Sequence, residues 1–263
     1  MVASHSDNSE SGLERGIVGV FREYYNDDSS SYHHYLSVKT VNPWGMNISF
    51  LSGAGESALT IRNITQDDVV LLESFKHELS DRSRELFCPY PWNNIEKLRE
   101  AVTSAVRKSV DLADASYIIS INNKPIGHFF LWGAGGNSHS LRYGVDIPEL
   151  GVAIADSYQG KGLGFLAVRI LQEVAKNLKK DAIELTTALS NQGGWSTYLK
   201  AGFIYTGDIK NPLEVDATLA VLGQVLTERY RQERQMVCII NRKKQQEIMS
   251  YLELKRELHT GVL

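Results

Sequence analysis

A chain of 263 residues can bury a full core, and it is long for one small domain yet short for two ordinary ones, so one domain with extensions is the economical reading. Charge is nearly balanced, 28 basic against 31 acidic residues, with no basic tail or stripe, which argues against a phosphate-backbone partner and hence against nucleic acid. Two distant cysteines, Cys88 and Cys238, a polar start from Met1 to Gly12 and no run of 18 apolar residues argue against a disulfide framework, a signal peptide and a membrane span, and predict a soluble cytoplasmic protein with free thiols.

Residues 1–12 are too polar to expect a fixed structure. From Leu13 to Tyr25 apolar and aromatic residues recur at mixed helical spacing, and Tyr35–Thr40 and Met46–Leu51 alternate as short strands around Asn42-Pro43. Residues 13–56 therefore read as an appended helix and hairpin. The main domain, 57–241, opens with a strand at Leu59–Ile64, and Thr65-x-x-Asp68 reads as a capping box for a helix through Glu78. A turn-rich link, Phe87–Trp92, precedes a helix capped near Asn93, with Ile95, Leu98, Val102, Ala105 and Val106 on one face. Ser116–Ile121 and Ile126–Trp132 flank Asn122-Asn-Lys-Pro125, a hairpin signal. A Gly/Ser-rich loop from Gly133 to Ser140 leads to the domain's fourth strand. Leu163, Leu166, Ile170, Leu171, Val174 and Leu178 then form the stripe of a helix, with Lys179 and Lys180 at its negative end. A strand at Ala182–Leu189, a short helix carrying Tyr198, a strand at Phe203–Thr206, a helix-like segment from Asn211-Pro212 to about Tyr230 and a strand at Met236–Ile240 complete the domain. Residues 242–263 predict a charged amphipathic helix with Ile248, Tyr251, Leu254 and Leu258 on its apolar side, a surface on which a homodimer could form.

The stretch from Glu149 to Gly164 carries the most chemistry: an apolar strand runs through a glycine-rich turn into a helix. Gly160, Gly162 and Gly164 let the backbone approach a ligand, and the helix start presents unpaired N–H groups, so the unit reads as an anion cradle. It is not a Walker P-loop, since Lys161 is followed by Gly162 and Ala155 holds the first glycine position. Gly162-Leu-Gly-Phe-Leu-Ala167 satisfies a Rossmann fingerprint, with Glu184 about 20 residues on. Against a dinucleotide-binding oxidoreductase, polar residues from Asp156 to Gln159 separate strand from glycine, and Glu184 sits early in its strand. The spacing Gln159-x-x-Gly162-x-Gly164 resembles the [RQ]-x-x-G-x-[GA] coenzyme-A pyrophosphate loop of the GCN5-related N-acetyltransferases, the GNAT superfamily. A second segment, with Asn191, Tyr198, Gly202 and Phe203 in register, is similar to that family's N-(x)6-Y-(x)3-G-F motif. The resemblance spans residues 58–241 in element order, and its specific motifs span 149–164 and 191–203.

The resemblance implies a mixed α/β fold: a six- to seven-stranded sheet flanked by helices, splayed between its fourth and fifth strands, with a bulge on the fourth. It also implies an N-acetyltransferase using acetyl-CoA as cosubstrate and a small-molecule or peptide amine as acceptor. The backbone of Val152, Ala153 and Ile154 would meet the oxyanion and pantetheine arm, and Gln159, Gly160, Lys161, Gly162, Leu163, Gly164 and Phe165 the pyrophosphate. Tyr198 would serve the leaving thiolate, Glu149 would be the base with Glu184 as second option, and Asn191 would bond the pantetheine or cap its helix. Two departures stand out: Gly193-Gly194 replaces better helix formers, and Thr186 stands where members acting on protein amino termini often carry glutamate. The family's acceptor wall falls on Pro89–Trp92, on 133–146 and on 207–213, so Tyr90 and Trp92 could bracket the acceptor. The alternative within the fold is an acyl-CoA-binding sensor or interaction module without turnover. No metal is assigned, because His77-Glu78 has no second histidine at helical spacing and His33-His34 has no partner spacing.

Overall fold

The computed structural model of the protein describes residues 12–25, 35–38, 42–51, 58–87, 94–212 and 230–260. Among these residues nine strands form one sheet: β1 (Tyr35–Val38), β2 (Asn47–Leu51), β3 (Ala58–Asn63), β4 (Ala115–Ile121), β5 (Lys124–Trp132), β6 (Glu149–Ile154), β7 (Ala182–Ala188), β8 (Ile204–Pro212) and β9 (Tyr230–Ile239). Their spatial order is β1-β2-β3-β4-β5-β6-β7-β9-β8, and every neighbouring pair is antiparallel except β6 and β7. The helices are α1 (Gly12–Tyr25), α2 (Val69–Phe75), α3 (Asp81–Leu86), α4 (Ile95–Val110), α5 (Ser138–Leu141), α6 (Leu163–Asn177), α7 (Gln192–Lys200) and α8 (Gln245–Thr260).

Local chemistry explains most of these boundaries. The Asp68 carboxylate accepts from the Thr65 backbone N–H (2.8 Å) and hydroxyl (2.9 Å) and pairs with Arg62, so a 3-10 turn at 66–68 feeds α2. The Asn94 side chain accepts from Lys97 N at 3.0 Å and starts α4 one residue later than the sequence suggests. Asn122 (φ 50°) and Asn123 (φ 64°) are both left-handed, which joins β4 to β5 through the tight turn that their sequence predicts. The short α3, capped by Ser80, follows a segment too polar to announce itself by periodicity.

Side chains alternate along β7 and β9, so the sheet's two faces carry different helices. On one face Cys238 lies against Gln172 of α6, and α6 buries Leu163, Leu166, Ile170, Leu171 and Val174 as its stripe predicts. On the other, Ala182 and Val237 pack with Ile248 and Leu252 of α8. Helix α8 therefore spends its apolar side within the chain; Leu258, expected on that side, stays 55% exposed.

Three expectations change. The hairpin of residues 35–51 is not set apart: β2 pairs with β3 from Asn47↔Arg62 to Leu51↔Ala58, which raises the sheet from seven strands to nine. No helix begins at Asn211-Pro212, because these residues end β8 opposite Arg231 and Tyr230; proline is tolerated there since β8 is an edge strand. The rest of that helix-like segment, 213–229, lies outside the described residues. The β5–β6 ladder runs from Gly127↔Ile154 to Trp132↔Glu149 without a register shift, so no bulge interrupts β6 there.

Candidate active site

The parallel pair β6 and β7 is in register at one place, Glu149↔Glu184, where Glu184 N donates to the Pro148 carbonyl at 3.0 Å. Beyond that point the strands part, and a cavity of about 500 Å³ opens between them. Val152 to Ile154 line one wall, Thr186, Thr187 and Tyr198 the other, and Gly160, Gly162 and Gly164 the mouth. Ala155 N donates to the Ile126 carbonyl at 2.8 Å, and in an antiparallel ladder that fixes the alternation. The N–H of Ala153 then faces β5, whereas those of Val152 and Ile154 face the gap. Parting the strands, rather than a bulge, exposes donors along β6.

At the mouth, Gly160 (φ 72°) and Gly162 (φ 81°) adopt the left-handed conformation, and Gly162 starts α6. The backbone N–H groups of residues 160–165 have no hydrogen-bond acceptor among the described residues. A Cβ added at Gly160 or Gly164 would meet nothing within 4 Å. This is an open concave surface of donors at the positive end of a helix, which fits a diphosphate. Gln159 shapes the loop from behind: its amide donates to the Ile154 carbonyl at 2.9 Å and reaches Asp156 and Ser83. Lys161 lies over the Tyr158 ring at 4.9 Å, and Lys200 over Phe165 at 4.8 Å. Lys200, a cation on the cavity wall, is one the sequence motifs do not flag.

Asn191 caps α7. Its Oδ1 accepts from Gly194 N at 2.9 Å and its amide donates to Thr187 Oγ1 at 3.0 Å, which holds the helix start to β7. Gly194 is needed there, since a Cβ would come within 2.5 Å of that amide. Packing thus accounts for Gly194 and not for Gly193, where a Cβ would meet nothing within 4 Å. Tyr198, on the same helix, is buried against Phe203 with its hydroxyl free of any partner among the described residues. Burial pushes its phenol up to about 12.

Neither Glu149 nor Glu184 lines the cavity. Both sit at its foot on the face covered by α8. Glu184 is 1% exposed and accepts from Lys255 Nζ at 3.0 Å, while its second oxygen is buried without a partner among the described residues. Burial works against the Lys255 ammonium, but the charges of Glu184 and Glu149 outweigh it and hold it above the ordinary lysine range. Burial and the same two carboxylates push the Tyr251 phenol up to about 12. Nothing in the local sequence pairs Lys255 with Glu184, 71 residues away. Tyr90 and Trp92 lie outside the described residues, as does Cys88. Among the described residues no group of three His, Cys, Asp or Glu is placed to hold a metal ion, and no helix is long and apolar enough to cross a membrane.

A mixed sheet parted at its one parallel pair, with a glycine cradle at the mouth of the gap, is the architecture of an acetyltransferase. The chain belongs to the GNAT acetyltransferases: the acetyltransferase (GNAT) domain family matches residues 58–204, more than half of its length. No curated protein sequence matches it. Its fold is similar to the spermidine N-acetyltransferase of Vibrio cholerae solved with CoA and spermine (20% identity, 69% of this chain and 95% of that one, TM-score 0.51). It is similar also to the ribosomal-protein-S5-alanine acetyltransferase of Vibrio fischeri (16% identity, 69% and 92%, TM-score 0.51). A third is the microcin C7 self-immunity acetyltransferase in complex with acetyl-CoA and AMP (14% identity, 69% and 92%, TM-score 0.52). The antiparallel pairs flanking β6 and β7 dispose of the Rossmann reading, which needs a run of parallel strands.

Proposed function

We propose that this protein transfers an acetyl group from acetyl-CoA to a primary amine by direct attack of the amine on the thioester. The observation that carries the reading is the run of backbone N–H groups from residue 160 to 165, without acceptors among the described residues, at the mouth of the gap. They would take the pyrophosphate, with Gln159 shaping the loop and Lys161 adding a screened charge. The pantetheine arm would follow β6 inward, alongside Ala153 and Asn191, with the N–H groups of Val152 and Ile154 directed at it. As the amine nitrogen bonds to the carbonyl carbon, charge moves to the carbonyl oxygen, and a preorganised N–H there is worth ~3 kcal/mol.

The carbon–sulfur bond then breaks, and Tyr198 donates a hydrogen bond to the thiolate. A phenol at about 12 keeps its proton beside a thiol that titrates near ~8.5, so Tyr198 stabilises the leaving group without losing the proton outright. The proton shed by the amine passes to Glu149, through water, at the foot of the gap. Similarity to acetyltransferases of spermidine and of a ribosomal-protein alanine makes polyamines and short peptides the first acceptors to try.

The test is thiol release from acetyl-CoA over a panel of polyamines, amino acids, aminoglycosides and short peptides, with products identified by mass. Acetyl-CoA at ~100 times its dissociation constant should add ~2.7 kcal/mol to the folded state, and NADH nothing. Stabilisation by acetyl-CoA without thiol release across the panel would leave a binding module rather than an enzyme. Absence of stabilisation would remove the cradle reading itself.

A further inference from the structure

Helix α1 lies outside the family match at 58–204, yet it docks on the helix that carries the cradle. Leu13, Ile17, Val20 and Phe21 form its buried stripe. Glu23 pairs with Arg169 of α6 at 2.9 Å, and Gly16 admits the Glu173 side chain, which a Cβ would meet at 2.5 Å. Tyr24 continues that stripe one turn on and reaches the glycine loop. Its ring lies against Gly162, where a Cβ would come within 2.8 Å, and its hydroxyl donates to the Lys161 carbonyl at 2.7 Å.

The Lys161 carbonyl and the Gly162 N–H belong to one peptide group. All described peptide bonds are trans, so the two point in opposite directions. A carbonyl tied to Tyr24 on the α1 side sends the Gly162 N–H the other way, toward the cavity that Gly162 lines. A left-handed glycine pair is the part of the loop freest to rotate its peptide planes, and a flipped plane would present a carbonyl oxygen to the phosphate. A phenol is protonated at neutral pH, and burial raises that of Tyr24 further, so it is a donor there.

We infer that Tyr24 is a positioning residue for the coenzyme diphosphate, holding the Lys161–Gly162 peptide with its N–H turned into the cradle. The inference rests on the reading of the cradle as the pyrophosphate site. Tyr24→Phe keeps the ring against Gly162 and removes the tie alone. With acetyl-CoA as donor it should raise KM about three- to tenfold and leave kcat near the wild-type value, the effect of one modest hydrogen bond acting on binding. With acetyl-pantetheine, which has the thioester and no diphosphate, kcat/KM should not change, and the melting temperature without ligand should stay near wild type. Equal losses with both donors, a large fall in that melting temperature, or unchanged kinetics with acetyl-CoA would each overturn the role. A wild-type protein that handles acetyl-CoA no better than acetyl-pantetheine would instead overturn the cradle, and with it this inference.

Discussion

The two ends of the gap between β6 and β7 are built in opposite ways. At the mouth, six consecutive residues offer backbone N–H groups, and three of the six are glycines; at the foot, the charges of Glu149, Glu184 and Lys255 meet beside the neutral Tyr251 phenol, brought together from three separate elements. The N–H groups of the mouth contribute little to holding the fold together, since they have no acceptor among the described residues. The foot is bound into the fold, since its charges are paired where β6, β7 and α8 meet. A change at the mouth should therefore cost binding and spare stability, and a change at the foot should do the reverse.

Tyr198 lies between the ends, and its loss should have the largest effect. Tyr198→Phe removes one oxygen and keeps the packing on Phe203, so acetyl-CoA affinity should stay near normal while turnover falls ~10² to 10⁴-fold. Thioesters whose thiols are more acidic should lose less, because their thiolates need less stabilisation. Full activity under conditions where chemistry limits the rate would make Tyr198 structural only.

Gly164→Val breaks the mouth. The backbone there is helical and the space beside it open, so the fold should persist while the branched side chain occupies the diphosphate position and weakens acetyl-CoA about 10²-fold or more. It is a cleaner change than one at Gly162, where a side chain would also strike Tyr24. Calorimetry on the folded variant checks it; unchanged affinity would move the coenzyme elsewhere.

Lys255→Met breaks the foot. Two carboxylates, one of them buried, lose their half-buried cation, and removing one partner of such a set costs roughly 2–3 kcal/mol in denaturant unfolding. Acetyl-CoA affinity, corrected for the folded fraction, should hold. A variant as stable as wild type would show the charges at the foot to be solvated rather than sealed.

The smallest effect concerns His128, which backs Ala153 on the wall of the gap. It is 1% exposed, bonded to Ser116 at 2.8 Å, and burial lowers its pKa to about 3. Between about 3 and the unfolded value near ~6.5 the unfolded chain binds the extra proton, so stability rises with pH across that window and falls on acidification. About 2 kcal/mol should go between pH 7 and pH 5 from this group alone. His128→Gln should flatten that part of the slope in urea unfolding at the two pH values; an unchanged slope would assign it to other groups.

The mouth was legible in the sequence because it is local. Gln159, Gly162 and Gly164 sit on one turn, and the spacing that makes a left-handed glycine start a helix is contained within six residues. Asn191 and Tyr198 were legible for the same reason, since a cap and a residue two turns later share one helix. The domain's strand and helix order followed from periodicity, and the Asn122-Asn123 turn from its residue types. The edge strands were less so: β8 and β9 run well past their apolar residues, because backbone pairing continued where the side-chain pattern had stopped.

What only the tertiary structure decided is which distant groups share an environment. Whether Glu149 stands at an exposed edge or beside Glu184 and Lys255 depends on β6 and β7 touching at one register and on α8 crossing beneath them. The place of α1 depends on a stripe of four apolar residues meeting α6, which brings Tyr24 to the carbonyl of a loop 137 residues away. Glycine spacing and strand alternation are properties of a few consecutive residues, so the sequence displays them directly. Charge pairing and docking are properties of surfaces assembled from remote segments, and no local pattern encodes their partners.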